Sequence, residues 1–490
     1  MLIYYIEFAL YLALMLGIGL WSMRRTTSNK HFIIGDRQMG PITSAISAGA
    51  SDMSSWLLLG LPGAVFAGGL VEGLWISLGL LAGAYINWLI TAGRLRAMTE
   101  RYDAVTLPSF LSKRFDDSKG ILKVVSTIVI LLFFTIYVSS GLKGGTLLFA
   151  HTFGASETVA LVVTTLVVVS YTFLGGYIAV CWTDLIQGIL MLAALTFCVI
   201  LGYNGIVKAD VDIVAIKPDA FSIKAGVITV LSLLAWGFGY FGQPHILARF
   251  IGIKDVKSVR RARRVGISWM AICLLFASLI GLIGIGFHAA NPLEGVAGVD
   301  GNAERIFLAL TSALFHPIFA GVVLAAVLAA VMSTADSQLL VLTSSLTEDI
   351  PPIAALPDAK KKWISRLGVL GFALLAFLIA LFDKGTILDM VGYAWGGFGA
   401  ALGPVVILAL FWKGCTKWGA LAGMITGSVV IVVVKNWIHI EGEYFYELLP
   451  GFILAFAAVV VTSLLTKKPG KEALDHFEAG IAEVREANRR

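Results

Sequence analysis

The sequence predicts an all-α polytopic membrane protein with about thirteen transmembrane helices, and three observations carry that prediction. Of its 490 residues, 58% are hydrophobic and 14% charged, with a mean hydropathy of +0.87, which leaves too little polar surface for a water-soluble globule. Apolar runs of roughly 20 residues, the length that crosses about 30 Å of hydrocarbon as a helix, recur along the whole chain. A β-barrel would instead show alternating segments of about ten residues. The basic residues, finally, alternate between successive loops.

Taken in order, the run 3–22 has no basic residue before it and no small-residue cleavage site after it, so it reads as a retained helix. Further spans are expected at 41–68, 74–93, 121–150, 157–174, 178–202, 224–247, 265–288, 316–345, 363–382, 385–412, 416–434 and 447–466. Placing the amino terminus outside puts 30 of the 37 Lys and Arg residues on the cytoplasmic side, as the positive-inside rule requires. The resulting organisation is a first helix and loop (1–40), two five-helix units (41–202 and 203–412), two last helices (413–466) and a cytoplasmic tail (467–490). Short capping helices are expected in the outside segments 203–223 and 288–315, and an amphipathic interfacial turn at 106–114. The loop Arg249–Arg264 reads as a topology anchor or a contact for anionic lipid, not a nucleic-acid patch. The tail carries charges at helical spacing and reads as a solvated helix or a disordered end.

Polar residues inside spans point to function, because the bilayer core has no water to satisfy them. The span 41–68 contains Ala50-Ser51-Asp52-Met53-Ser54-Ser55 and then Gly60, Pro62 and Gly63; the span 224–247 contains Trp236 to Pro244 with three glycines. Interrupted spans that open two successive five-helix units mark a midplane site in an inverted-repeat transporter. In the span 316–345, the Ala330 carbonyl and the Ser333 and Thr334 hydroxyls share one helix face. With the Ala50 and Met53 carbonyls opposite, about five oxygens would converge, a set suited to a hard cation such as sodium. Asp52, Asp184 and Asp336 are three carboxylates within spans, and Lys143 is the obvious partner for Asp184 or Asp336. Enzyme chemistry has no support: the seven His residues are scattered, without an HExxH motif, a nucleophile elbow or a phosphate loop. The four Cys residues show no metal or disulfide spacing.

The motifs Ala50-Ser51-Asp52-Met53-Ser54, Gly60-Leu61-Pro62-Gly63-Ala64, Tyr171-Thr172-Phe173-Leu174-Gly175-Gly176-Tyr177, Trp182-Thr183-Asp184, Trp236 through His245 and Ala330-Val331-Met332-Ser333-Thr334 resemble the sodium/solute symporter family in this order. The resemblance implies a five-plus-five inverted-repeat core of the leucine-transporter type, with one helix before it and two after. It implies a sodium site at Ala50, Met53, Ala330, Ser333 and Thr334, and an ion route involving Asp52, Ser54, Asp184, Asp336 and Ser337. Proline is the implied solute, near Tyr137, Trp236, Tyr240, Ser54 and Gln243, with Gly60, Pro62, Gly63, Pro244 and Lys143 in structural or gating roles. Sodium is then the coupling ion, no organic cofactor is expected, and the expected location is the bacterial inner membrane, with no obligate protein partner. Ser55, Lys143 and Asp336 depart from the family's pattern. They leave open a second cation site at Asp184, Ser333 and Ser337, or another solute such as a sugar, pantothenate, sialic acid or a monocarboxylate. A non-transporting amino-acid sensor and a passive channel are the rivals of a different class.

Overall fold

The computed structural model describes residues 2–24, 28–172, 176–297 and 301–489, and among these the regular elements are helices, with one isolated bridge between Met39 and Ile253. They are α1 (Leu2–Met23), α2 (Pro41–Asp52), α3 (Trp56–Gly68), α4 (Leu70–Arg101), α5 (Leu107–Arg114), α6 (Ile121–Phe153), α7 (Glu157–Thr172), α8 (Tyr177–Lys208) and α9 (Val227–Gly242). There follow α10 (Pro244–Gly252), α11 (Ser258–Ala290), α12 (Ile306–Leu314), α13 (Pro317–Asp349), α14 (Asp358–Phe382), α15 (Ile387–Phe411), α16 (Lys417–Trp437), α17 (Leu448–Leu465) and α18 (Lys471–Arg489).

Among the described residues ten helices are long and apolar enough to cross a membrane, and the bent pair α9–α10 makes an eleventh. The expected count of thirteen is therefore not reached by length and composition. The two remaining expected spans are the broken pair α2–α3 and the 16-residue α7. The motif Tyr171–Tyr177 falls partly outside the described residues, at 173–175. Burial separates centre from periphery: α13 and α15 are buried over more than four-fifths of their apolar windows, α1 and α14 over 17%. The outer helices thus present their apolar side chains to lipid, which explains exposed residues such as Leu10, Leu374 and Phe382.

The two broken helices break for different reasons. Gln243 leaves helical geometry (φ −78°, ψ 106°), and Pro244, which has no N–H to lose, restarts the chain as α10 at 47° to α9. That break lies where the sequence predicts it. In the first span the break is not at Gly60-Leu61-Pro62-Gly63 but at Met53 and Ser54, where α2 ends with Met53 at ψ 78°. Trp56–Gly60 then winds as a π-helical turn, with the Leu61 N–H bonded to the Trp56 carbonyl five residues back, and this widened turn makes room for Pro62, which has no N–H to continue the ladder. Gly63 instead permits close approach: a methyl group there would come within 2.9 Å of the Glu304 backbone.

Three further expectations change. The segment 106–114 is helical and capped by the Thr106 hydroxyl, but α5 is buried in protein, not laid in the interface; Arg114 donates to the Ala409 and Trp412 carbonyls. The tail forms α18, docked through buried Phe477 beneath the Arg114 guanidinium, with a Tyr102–Ala473 hydrogen bond and an Arg101–Glu483 ion pair. Arg249, itself fully buried, belongs to α10, not to the basic loop that follows it. Short helices do form in both predicted capping segments, at Ile213–Ile216 and at Ala303–Arg305 continuing into α12.

Candidate functional site

At the break between α2 and α3 the backbone loses its helical partners, and side chains from three helices take their place. The Asp52 carbonyl accepts from Trp56 Nε1 and from the Tyr137 hydroxyl of α6, both at 3.0 Å. The Asp52 carboxylate accepts from the Tyr240 hydroxyl of α9 through Oδ2, while Oδ1 has no partner in the protein. Tyr240 is itself fixed, edge-on to Trp395 of α15 with ring centroids 4.9 Å apart, and its carbonyl accepts from Asn87.

Two residues earlier the Ala50 carbonyl accepts from the Ser333 hydroxyl at 2.8 Å, joining α2 to α13 across 283 positions of sequence. Ser333 also reaches the Ala330 carbonyl at 3.2 Å, and the buried Thr334 hydroxyl has no protein partner. Three of the five residues expected to hold sodium are thus joined by contact, and Thr334, next to Ser333, leaves a free oxygen. Buried polar atoms normally find hydrogen bonds. Those around the two breaks do not: Asp52 Oδ1, the Ser55 and Thr334 hydroxyls, Gln243 Oε1 and both His245 ring nitrogens are unsatisfied by protein. Such a concentration suits a polar solute or ion as a partner.

A second cluster centres on Arg249. Its guanidinium donates to Asp184 Oδ2 (3.0 Å), Ser47 (3.0 Å), Ser337 and the His245 carbonyl (3.0 Å), and Ser47 donates to Asp184 at 2.6 Å. Both ends of the Asp184–Arg249 pair are fully buried. The cluster ties together α2, α8, α10 and α13. Of the residues suggested for a second cation site, Asp184 and Ser337 do meet, but around Arg249, while Ser333 belongs to the Ala50 contact. Arg249 was missed in the sequence because it adjoins a basic loop and was counted with it.

Lys143 also departs from expectation. It pairs with Asp383 at 3.7 Å and donates to the Asp383 and Gly385 carbonyls, not to Asp184 or Asp336. It therefore braces the loop between α14 and α15. Asp336 is buried in α13. Gln243 spans the second break, its amide donating to the Gly239 and Trp395 carbonyls at 3.2 Å each. Trp236 lies on the wall of a cavity of about 360 Å³ shared with Glu72, Asp389, Tyr393, Lys435 and Tyr446. Its carbonyl accepts from Trp395 Nε1 at 2.8 Å. Ser54 Oγ accepts from the Trp56 amide at 3.4 Å.

Glu304, which the sequence does not single out, closes the loop-side end of the broken helix. Its carboxylate accepts from the Ile387 and Leu388 amides at the start of α15 (3.1 and 3.3 Å), and its backbone abuts Gly63. Burial pushes this carboxyl up to about 7, against the opposing pull of those two amides.

Comparison with known proteins places this geometry. Residues 32–427 match the model of the sodium:solute symporter family. The chain is 45% identical over 481 residues to the osmoregulated proline transporter OpuE of Bacillus subtilis, covering 96% of each chain. It is 43% identical to the sodium/proline symporter of Haemophilus influenzae, covering 98% of each. Among solved structures, a substrate-bound outward-open sodium-coupled sialic acid symporter superposes with a TM-score of 0.80 at 20% identity, covering 96% of this chain and 98% of that one. A nucleobase-cation-symport-1 family transporter follows at 0.56 and 14%, covering 91% and 97%. The likeness is one of fold, the leucine-transporter arrangement of helices. With broken helices at the head of each group of spans and a full-length match at this identity, the chain belongs to the sodium:solute symporter family of membrane transporters.

Proposed function

We propose that this protein imports L-proline with sodium across a bacterial inner membrane by alternating access, its amino terminus outside and its tail in the cytoplasm. The observation that carries the mechanism is the junction of the Ala50 carbonyl with Ser333 beside the unpaired Thr334 hydroxyl. Sodium binds there, with the Met53 and Ala330 carbonyls completing the oxygen set, and holds α2 against α13. Oxygen-only coordination suits a hard monovalent cation. Asp52 supplies negative charge and orientation nearby through Tyr240, while Tyr137 and Tyr240 offer ring faces and hydroxyls to an amino acid with an apolar ring. Asp184 and Ser337 lie on the route of ion release, with Asp336 beside them. The two five-helix units, 41–202 and 203–412, rock about this point. One charge crossing about 100 mV is worth about 2.3 kcal/mol, which supports roughly a fifty-fold solute gradient.

Proline is favoured over other solutes because the relatives that match over the whole chain are named for it. The test is competition. A panel of proline, pantothenate, sialic acid, glucose and lactate is offered against labelled proline in proteoliposomes under a sodium gradient. Only unlabelled proline is expected to abolish uptake; failure of labelled proline to enter, with another solute entering instead, contradicts the substrate assignment.

A further inference from the structure

On the face of the protein that carries the tail, a cavity of about 250 Å³ opens where α4, the start of α11 and α18 meet. Its walls are of two kinds. Leu89, Ile90 and Val484 make it apolar, and Arg94, Arg260 and Arg263 make it strongly basic, with no acidic residue in the lining. Two of the arginines are already positioned. Arg94 donates to the Leu410 carbonyl at 2.9 Å and lies 3.9 Å above the Phe411 ring, and Arg263 lies over Tyr85 at 5.3 Å. Nearby acids are committed elsewhere: Asp255 caps the Ser258 amide and Glu483 pairs with Arg101. Among the described residues no ion pair joins Arg260 or Arg263 to a carboxylate. The cavity mouth adjoins Tyr85, Ile86 and Leu89, each more than two-fifths exposed on a membrane-spanning helix.

We propose that this cavity is a binding site for the headgroup of an anionic phospholipid. Guanidinium groups pair with phosphate through parallel hydrogen bonds, and basic pockets between helices at the membrane surface hold such headgroups. A lipid fits better than a free phosphate, because the apolar wall and the exposed strip of α4 give the glycerol and the first acyl carbons a surface to cover. The occupied site spans three pieces that already meet beside it: the membrane-spanning α4, the loop at Val256, whose Ile253 and Lys254 carbonyls accept from Arg96 of α4, and the tail through Val484, whose Glu483 pairs with Arg101. Lipid bound here therefore adds a further tie between the tail, α4 and the start of α11.

The full-length protein, purified and titrated with phosphatidylglycerol or phosphatidylcholine, is examined by native mass spectrometry. Saturable retention of phosphatidylglycerol over phosphatidylcholine is expected. Arg260→Gln/Arg263→Gln should weaken it about 30-fold, at about fivefold for each charge removed. Arg260→Lys/Arg263→Lys should recover most of the loss. Arg261→Gln/Arg264→Gln, with the same charge change outside the cavity, should leave retention unchanged. Equal retention of both lipids, equal loss in the two glutamine variants, or displacement by glycerol phosphate as effective as by phosphatidylglycerol overturns the assignment.

Discussion

Asp52 does two jobs with two groups. Its carbonyl collects the hydrogen bonds that the interrupted helix lacks, and its carboxylate faces Tyr240 with one oxygen left over. The carboxylate was conspicuous in the sequence as a charge in a membrane span. The carbonyl's role was not, since a backbone atom carries no sequence signal of its own. The same holds for the Ala50–Ser333 contact, where the hydroxyl is readable and the register across 283 residues is not. Ser333→Ala removes a hydroxyl oxygen from the proposed sodium set, and at about 1–1.5 kcal/mol for one such polar contact the sodium concentration for half-maximal uptake should rise about tenfold. Thr334→Ala should act in the same direction and Thr334→Ser much less; sodium titrations of proline uptake measure all three. For the buried Asp184–Arg249 pair, Asp184→Asn strands a buried guanidinium and should cost about 3–5 kcal/mol, seen as a lower unfolding midpoint in detergent. Asp184→Leu combined with Arg249→Met should recover much of that loss, although the four-helix tie is gone.

At the scale of elements, the two broken helices show what sequence punctuation can and cannot locate. Gln243-Pro244 breaks where proline forbids the helix to continue. Gly60-Leu61-Pro62-Gly63 looks stronger as a breaker yet lies inside continuous helix, because the π-helical turn before it accommodates the proline and its Gly63 serves packing against Glu304. Gly63→Ala should therefore disturb the loop while leaving α3 helical. Gly83→Ala should be worse, since the added methyl would overlap the Gly237 carbonyl and pry α4 from α9; reduced folded yield with unchanged helix content is the expected reading. Glu304 gives this loop a pH dependence. Its carboxyl is raised from 4.5 to about 7 when docked on α15, so the docked form holds its proton more tightly than the free loop. Docking is thus most favoured below pH 4.5 and weakens as pH rises from 4.5 to about 7, with no further change above. Hydrogen exchange at the Ile387 and Leu388 amides, corrected for intrinsic rates, should show protection falling over that range, and Glu304→Gln should flatten the profile.

For the whole molecule, hydropathy alone located the long helices, because lipid demands a continuous apolar run and the code for that is composition. Composition was blind to helices that run past the hydrocarbon, as α4 does to Arg101, and to α5, whose buried Arg114 is satisfied by carbonyls nearly 300 residues away. It also left α18 as a charged end, although Phe477 and Ala473 seat it on the body of the protein. The residues proposed to hold sodium and solute were legible as types and illegible as partners, since helices far apart in sequence supply each half of the proposed site. The central claim, that sodium binding between α2 and α13 drives solute entry, is tested most directly by labelled proline uptake into proteoliposomes with an inward sodium gradient. Accumulation above equilibrium with sodium, none with potassium, and a higher sodium requirement for Thr334→Ala is the predicted result. Uptake that is indifferent to sodium, or a Thr334→Ala variant with an unchanged sodium dependence, would contradict it.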